Sequence, residues 1–270
     1  MTLYTVFGGK GFIGTEVVRQ LRVSGVEVSV PEKEDKGIFE RNLGTVIYCV
    51  GHGNCKKNPF KVLNANVFLL NSLLEKANFE KLIYISSTRV YMNQTCSAES
   101  SDLIISANDE RRLFNLTKLT AEEMCLKSGL NTCIVRPSNV YGVALNSPLF
   151  LPAITRDAIN HGVVNMYVTP SYKKDYVSVL DVAEMIVKIS KKQKLNGEIY
   201  NIASGVNVSA EQIANVLQVE TGCKVSWHSC DNNEHFPVVP ISKIRDEFGF
   251  SSRNVLDDLK SMVNDFKKVL

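Results

Sequence analysis

Four glycines near the start of the chain constrain its fold more strongly than any other feature. They stand at positions 8, 9, 11 and 14, directly after the apolar, β-branched residues 3–7, and helical periodicity follows from Thr15. An ordinary turn between a strand and a helix needs one glycine, whereas several let backbone N–H groups approach an anion at the positive end of the helix. The spacing therefore predicts a pyrophosphate site and, with it, a bound dinucleotide.

Apolar segments of strand length alternate with amphipathic segments of helical length over the first half of the chain. The strand-like segments after the first are residues 26–30, 45–50, 81–86 and 132–136, and the helical ones are 15–24, 60–77 and 113–127. Apolar strands that alternate with helices are typical of a parallel sheet covered on both faces. We therefore predict an α/β fold with a Rossmann-type, doubly wound parallel sheet.

The sequence becomes richer in turns after residue 142, and its elements become shorter. We predict a smaller C-terminal α/β substrate lobe formed by residues 143–176 and 205–270. Residues 1–142 and 177–204 are predicted to form a dinucleotide-binding domain. No linker, internal repeat or low-complexity tract separates the two parts, so we expect them to pack as one unit.

Composition narrows the class of protein. The 270 residues are 44% hydrophobic and carry a formal net charge of only +3, which excludes a disordered chain and does not indicate nucleic-acid binding. No apolar run reaches the roughly 20 residues of a membrane-spanning helix, so we expect no membrane association. The 7 cysteines include no C-x-x-C pair, which predicts reduced thiols, no metal site and a cytoplasmic location.

An acidic residue beyond the second predicted strand indicates which dinucleotide binds. Glu32 stands where such a residue commonly holds the hydroxyls of the adenosine ribose, and this favours NAD. Lys33 and Lys36 stand beside it and could instead neutralise the 2′-phosphate of NADP. NAD is therefore the predicted cofactor, with NADP as the alternative.

Seven motifs occur in order along nearly the whole chain, and together they resemble the extended short-chain dehydrogenase/reductase family. They span residues 8–14, 64–67, 83–91, 118–122, 135–142, 174–182 and 200–205. This family contains NAD-dependent nucleotide-sugar epimerases, dehydratases and ketoreductases. The resemblance implies a nucleotide-sugar substrate and a set of cofactor contacts, namely Gly8, Gly11, Phe12, Ile13, Gly14, Glu32, Lys118 and Pro137.

The resemblance also implies contacts with the substrate. Ser87 occupies the position of the hydroxyl that bonds the reacting oxygen of the sugar, and Thr88 offers a second hydroxyl beside it. Asn139 falls where family members contact the substrate phosphates, and Lys174 replaces an arginine that commonly binds the nucleotide diphosphate. A dehydratase needs acidic residues directly after the hydroxyl, but Thr88 and Arg89 stand there, so dehydration is disfavoured.

The largest departure from the family pattern is at the catalytic tyrosine. Lys118 matches the lysine of the Tyr-x-x-x-Lys motif, but Phe114 stands where the tyrosine is expected. A phenyl ring cannot donate or accept a proton, and losing a general acid–base commonly costs about 10²–10⁴ in rate. Phe114 could be an engineered replacement, the protein could use Tyr91, Thr117 or a water instead, or turnover could be lost while binding is retained.

These residues predict an NAD(P)-dependent nucleotide-sugar epimerase or 4-keto-sugar reductase that transfers a hydride reversibly at a sugar carbinol or ketone. The alternative is a catalytically impaired dinucleotide-binding protein that acts as a regulatory or partner subunit. Residues 31–44 are short for the family, which usually fits another strand there. The resemblance further implies a homodimer with a four-helix interface, for which the helices at 60–77 and 113–127 are the candidates.

Overall fold

A computed structural model describes residues 2–144, 147, 149–228 and 234–269. Its strands, numbered in chain order, are β1 (Leu3–Phe7), β2 (Glu27–Ser29), β3 (Thr45–Tyr48), β4 (Lys81–Ile85), β5 (Thr132–Pro137), β6 (Asn139–Tyr141), β7 (Val163–Met166), β8 (Lys173–Ser178), β9 (Glu198–Ile202), β10 (Asn207–Ser209) and β11 (Lys224–Trp227). One sheet has the order β2-β1-β3-β4-β5-β9, and every neighbouring pair in it is parallel. This arrangement confirms the predicted Rossmann-type α/β fold.

The helices are α1 (Phe12–Val23), α2 (Pro59–Leu63), α3 (Leu69–Lys76), α4 (Arg112–Lys127), α5 (Phe150–Asn160), α6 (Val179–Ser190), α7 (Ala210–Thr221), α8 (Ser242–Phe248) and α9 (Val255–Val269). The predicted helix at 60–77 is divided, because the chain widens into a π-helical turn over Asn64–Phe68 between α2 and α3. The buried Asn66 side chain of this turn hydrogen-bonds the backbone of His52 and the hydroxyl of Thr117. Turns of this kind are frequent at functional sites.

Helices cover both faces of the first sheet. On one face α1 and α6 contact each other, and their Val17 and Ile186 share a core with Ile83 of β4. On the other face α3 and α4 supply Leu73 and Ala121 to a second core. Burial on both faces explains why these strands are apolar throughout their length.

The remaining strands and α5, α7 and α9 form a smaller part of the molecule. A second sheet has the order β10-β8-β6, and β7 pairs with β11. Leu151, Ile213 and Phe266 belong to the core of this part. Ile244 of α8 and the nearby Phe250 pack instead with the core of the first sheet, although our boundaries assign both to the substrate lobe. The division into domains stays a prediction.

The strand order of the first sheet reverses at β1. β1 lies between β2 and β3, so the chain winds outwards in two directions from β1, and ligands of such sheets bind at the carboxyl ends of these strands. Residues 31–44 contain a 3₁₀ turn at Lys36–Phe39 and, in the described structure, no strand beyond β2. No described helix is both long and apolar enough to cross a bilayer.

Candidate active site

The glycine loop, residues 8–14, joins β1 to α1 at the carboxyl edge of the sheet. Gly8 has a φ of +74°, and a Cβ at Gly14 would lie 2.2 Å from the carbonyl oxygen of Gly8. The N–H of Gly11 donates to this oxygen at 2.9 Å, and no side chain caps the first turn of α1. The loop therefore packs closely against a helix N-terminus whose N–H groups remain available to an anion.

Phe12 and Ile13, two of the predicted cofactor contacts, begin α1. The Phe12 ring lies against Gly142, where a Cβ would stand 3.2 Å from Phe12 Cζ. Ile13 packs on the core of the first sheet. Both side chains therefore pack within the protein, and the backbone N–H groups of the two residues are the groups available to a pyrophosphate.

Glu32 lies beyond the end of β2 and is exposed. Its carboxylate forms an ion pair with Lys10 of the glycine loop, with Nζ and Oε1 2.5 Å apart. The side chains of both residues are 72% exposed, so water screens this pair and it contributes little to stability. The pair places the predicted ribose ligand beside the loop predicted to hold the pyrophosphate.

Lys118 is buried in α4, and the end of its side chain reaches β4. Its ammonium donates to the carbonyl oxygen of Ile85 at 2.8 Å and lies 4.8 Å from the centre of the Tyr84 ring. Burial lowers the pKa of Lys118 to about 8, although Glu122 and Cys49 act in the opposite direction. The structure therefore holds an amine that titrates near neutral pH at the edge of the sheet.

Phe114 stands next to Lys118, as the motif predicts. The centre of its ring lies 5.8 Å from Lys118 Nζ and 4.9 Å from the guanidinium carbon of Arg111. A Cβ at Gly53 would lie 3.7 Å from Phe114 Cδ2. An apolar ring near two cations thus occupies position 114, where the resemblance predicts a tyrosine.

Two of the side chains suggested as replacement acids are engaged in structural hydrogen bonds. The buried Tyr91 hydroxyl donates to Asn201 Oδ1 at 3.0 Å and accepts from Arg136 at 2.6 Å, and burial raises its pKa. The Thr117 hydroxyl donates to the carbonyl oxygen of Phe114 and accepts from Asn66, each at 2.9 Å. Each of these hydroxyls therefore already donates its proton to a hydrogen bond within the protein.

The hydroxyls predicted to contact the sugar follow β4. Ser87 Oγ accepts a hydrogen bond from the backbone N–H of Arg89 at 3.1 Å, which leaves its proton available to a ligand. Thr88 is almost fully buried and lines a small cavity with Asn139 and Phe236. Ser87 is therefore the more accessible of the two hydroxyls.

The predicted phosphate contacts lie where the two parts of the molecule meet. The Asn139 amide donates to the carbonyl oxygen of Asp175 at 2.8 Å. Pro137, predicted to contact the cofactor and not the phosphates, ends β5 nearby and is buried. Asn139, Tyr172 and Lys174 line a cavity of about 190 Å³. Burial lowers the pKa of Lys174 to about 8, with Glu234 opposing this shift and two arginines reinforcing it.

Sequence reasoning missed a group of charges beside this cavity, which we call the charged cluster: Arg89, Asp109, Arg111, Lys174 and Glu234. The buried Arg89 guanidinium binds both carboxylate oxygens of Asp109, at 2.8 and 2.9 Å, and Glu234 at 2.9 Å. Lys174 Nζ lies 3.9 Å from Glu234. Sequence signals existed for two of its members: Lys174, which was predicted to bind the diphosphate, and Arg89, which replaces an acidic residue of the dehydratase pattern.

The residues at the carboxyl edge of the first sheet fit a dinucleotide. A Cβ at Gly14 would collide with the backbone of Gly8, so the glycine loop can lie this close to the first turn of α1 only because position 14 is a glycine. Two buried polar atoms, His52 Nε2 and Ser86 Oγ, have no hydrogen-bond partner among the described residues, and they follow β3 and β4 at this same edge. Buried polar atoms without a protein partner commonly mark a ligand or an ordered water.

The fold and this edge together define a Rossmann-type α/β protein with a candidate dinucleotide site and a second lobe beside it. The chain belongs to the NAD dependent epimerase/dehydratase family, which matches residues 4–203. The resemblance found in the sequence motifs is thereby confirmed.

Individual relatives bear the names of different activities. A UDP-N-acetyl-alpha-D-glucosaminuronate decarboxylase from Bacillus cytotoxicus is 25% identical over 86% of this chain and 82% of its own length. A GDP-L-fucose synthase from Sinorhizobium fredii is 21% identical over 81% of this chain and 80% of its own length. The structure of MoeE5 in complex with UDP-glucose and NAD is 20% identical, covers 99% of each chain and has a TM-score of 0.86, which confirms the fold.

Proposed function

We propose that the protein is an NAD-dependent nucleotide-sugar epimerase or 4-keto-sugar reductase, which transfers a hydride reversibly at a sugar carbinol or ketone. The observation that carries this proposal is the buried Lys118 beside position 114, at the same sheet edge as the glycine loop and Ser87. Burying an amine costs free energy, and binding a cofactor ribose would offset that cost.

The cofactor is proposed to lie along the carboxyl edge of the first sheet. The glycine loop and the first turn of α1 bind its pyrophosphate through backbone N–H groups. Glu32 binds the adenosine ribose, Lys118 holds the nicotinamide ribose and Pro137 lies against the nicotinamide. When bound, this group accepts or supplies the hydride.

The nucleotide sugar is proposed to lie between the two parts of the molecule. Ser87 donates a hydrogen bond to the reacting oxygen of the sugar, with Thr88 beside it. Asn139 and Lys174 bind the diphosphate, and the cavity of about 190 Å³ that they line supports this placement. The sugar then points towards Phe114.

Proton transfer is proposed to use a water instead of a phenol. Phe114 has no proton to give, and the Tyr91 and Thr117 hydroxyls are hydrogen-bonded elsewhere. A water bound at the Ser87 hydroxyl remains as the carrier. Lys118, with a pKa of about 8, can exchange a proton with it near neutral pH.

Restoring the phenol tests this proposal. Phe114→Tyr places a hydroxyl next to Lys118, so we expect turnover to rise at least about 100-fold, because a positioned acid–base commonly contributes that much. Turnover is measured with NAD and NADP on UDP-, GDP- and dTDP-sugars, by nicotinamide absorbance and by NMR detection of epimers. Phe114→Leu, which adds no acid, is the matched control and should give no gain. A restored variant that binds these sugars without turning any over would contradict the proposal.

Phe114 also favours a second candidate function, a dinucleotide-binding protein that regulates or assists a partner without catalysis. Its ring packs beneath Arg111 with no ionisable group in the place of the phenol. Calorimetry separates the two functions. Binding of NAD or NADH without binding of any nucleotide sugar would favour the second candidate.

We further propose that the protein forms a homodimer through α2, α3 and α4. Large apolar side chains are exposed on α2, on α4 and on the π-helical turn between α2 and α3, namely Phe60 at 80%, Leu116 at 44% and Phe68 at 54%. Burying such a surface against a second copy through four helices would remove it from water.

A further inference from the structure

The charged cluster carries more positive than negative charge. It brings together three cations, Arg89, Arg111 and Lys174, and two carboxylates, Asp109 and Glu234. These residues come from four separate parts of the sequence. One positive charge is therefore left without an opposite charge from within the cluster.

The excess charge belongs to Arg111. Both oxygens of Asp109 bind Arg89, while Glu234 accepts from Arg89 and from the Tyr172 hydroxyl. Among the described residues, the Arg111 guanidinium forms no ion pair. Desolvation and then the neighbouring Arg89 lower the pKa of Arg111, while Cys55, Glu234 and Asp109 act in the opposite direction. Its side chain is nevertheless exposed, so it can reach a ligand.

The position of Arg111 points to the sugar end of the substrate. Its guanidinium stacks on Phe114, 4.9 Å from the ring centre, and its Nη2 lies 3.0 Å from the place a Cβ at Gly53 would take. Lys174, by contrast, lines the cavity of Asn139 and Tyr172, where the diphosphate is proposed to lie. The two cations therefore serve different parts of one ligand.

We propose that Arg111, supported by Arg89, binds a carboxylate on the sugar, so that the preferred substrates are nucleotide-linked uronic acids. This inference rests on the proposed function and specifies its substrate class. A guanidinium matches the two oxygens of a carboxylate with parallel hydrogen bonds. A carboxylate also brings the charge of the cluster to zero, whereas a neutral sugar leaves a partly desolvated cation without a counter-ion.

Binding to the NAD-loaded protein tests the proposal by calorimetry. The tightest ligand among UDP, GDP, dTDP and CDP selects a matched pair of probes, for example UDP-glucose and UDP-glucuronate, which differ only at C6. We expect the uronate to bind at least about tenfold more tightly, a difference of about 1.4 kcal/mol. Arg111→Gln should abolish this preference and leave the affinities for the free nucleotide and the neutral sugar within about twofold.

Two further variants control for charge and folding. Arg245→Gln removes an exposed arginine of α8 that pairs only with Asp246 among the described residues, and it should keep the full preference. Arg111→Lys keeps the positive charge but loses the planar guanidinium that makes two parallel hydrogen bonds to a carboxylate. This variant should retain part of the preference. The melting temperature of each variant shows whether it folds.

Three results would overturn the proposal. Equal affinity of the wild-type protein for both sugars would remove the subsite and leave the proposed function intact. A loss of free-nucleotide binding in Arg111→Gln as large as the loss of uronate binding would assign Arg111 to the diphosphate. Absence of any nucleotide-sugar binding by the NAD-loaded wild-type protein would contradict the proposed function itself, and the subsite with it.

Discussion

The carboxyl edge of the first sheet and the charged cluster are neighbouring sites built in opposite ways. At the edge, consecutive residues set the shape of the glycine loop, and the candidate groups for binding a pyrophosphate are backbone N–H groups of this loop and of α1. The charged cluster is instead formed by side chains from distant segments. For example, Arg89 pairs with Glu234, which is 145 residues away in the sequence. The first site is therefore sensitive to added volume and the second to changed charge.

This difference suits the proposed roles of the two sites. A pyrophosphate is the same in every dinucleotide, so a backbone cradle can bind it whatever the side chains around it. Sugars differ in their substituents, and side chains that can be exchanged singly are the means to distinguish them. The larger effects of substitution should therefore fall at the edge, and changes of specificity at the cluster.

The largest expected effect comes from Gly14→Ala. The new Cβ would lie 2.2 Å from the carbonyl oxygen of Gly8, so the loop must move away from α1. We expect the dissociation constant for NAD to rise about 100-fold, because displacing two hydrogen bonds to a charged ligand would weaken binding by about this factor. The control is Gly37→Ala, whose Cβ would meet nothing closer than 3.4 Å and should leave NAD binding unchanged. Unaltered NAD affinity in Gly14→Ala would place the cofactor elsewhere.

The same difference explains what the sequence could predict. The glycine loop could be predicted because its strand, glycines and helix are adjacent in the chain, and the pairing of Phe114 with Lys118 because four residues make one helical turn. The charged cluster could not, since no local pattern links Arg89 to Glu234. The π-helical turn that divides the helix at 60–77 was also missed, because its residues keep an ordinary helical pattern.

Lys118 lies at the carboxyl edge of the first sheet, and its removal should have opposite effects on stability and on binding. Its pKa of about 8 in the folded protein lies below its ordinary 10.5, so folding penalises the charged form by roughly 3 kcal/mol at neutral pH. Part of this is offset by its hydrogen bond to Ile85. We therefore expect Lys118→Met to raise the free energy of unfolding by about 2 kcal/mol at pH 7 and to weaken NAD binding about tenfold.

The stability gain expected for Lys118→Met depends on pH. The penalty is present in full below pH 8 and disappears as the pH rises from about 8 to 10.5, so the stability gain of Lys118→Met should shrink across this interval. Urea denaturation at pH 7, 8, 9 and 10 measures it. Lys127→Met, an exposed position in the last turn of the same helix, should show no such trend. A variant less stable than the wild type at pH 7 would mean that Lys118 is held in place by favourable interactions.

The smallest expected effect on cofactor binding belongs to the exposed surface of α2 and α4. Phe60→Asp places a charge on a side chain that is 80% exposed, so it should halve the mass measured by light scattering and change NAD affinity less than about twofold. Val219→Asp, at an 81% exposed position of α7, should leave the dimer intact. A wild-type protein that is already monomeric would reject the proposed interface. Loss of NAD binding together with the dimer would mean that one chain alone does not complete the NAD site. The difference between the carboxyl edge and the charged cluster would then apply to the dimer and not to a single chain.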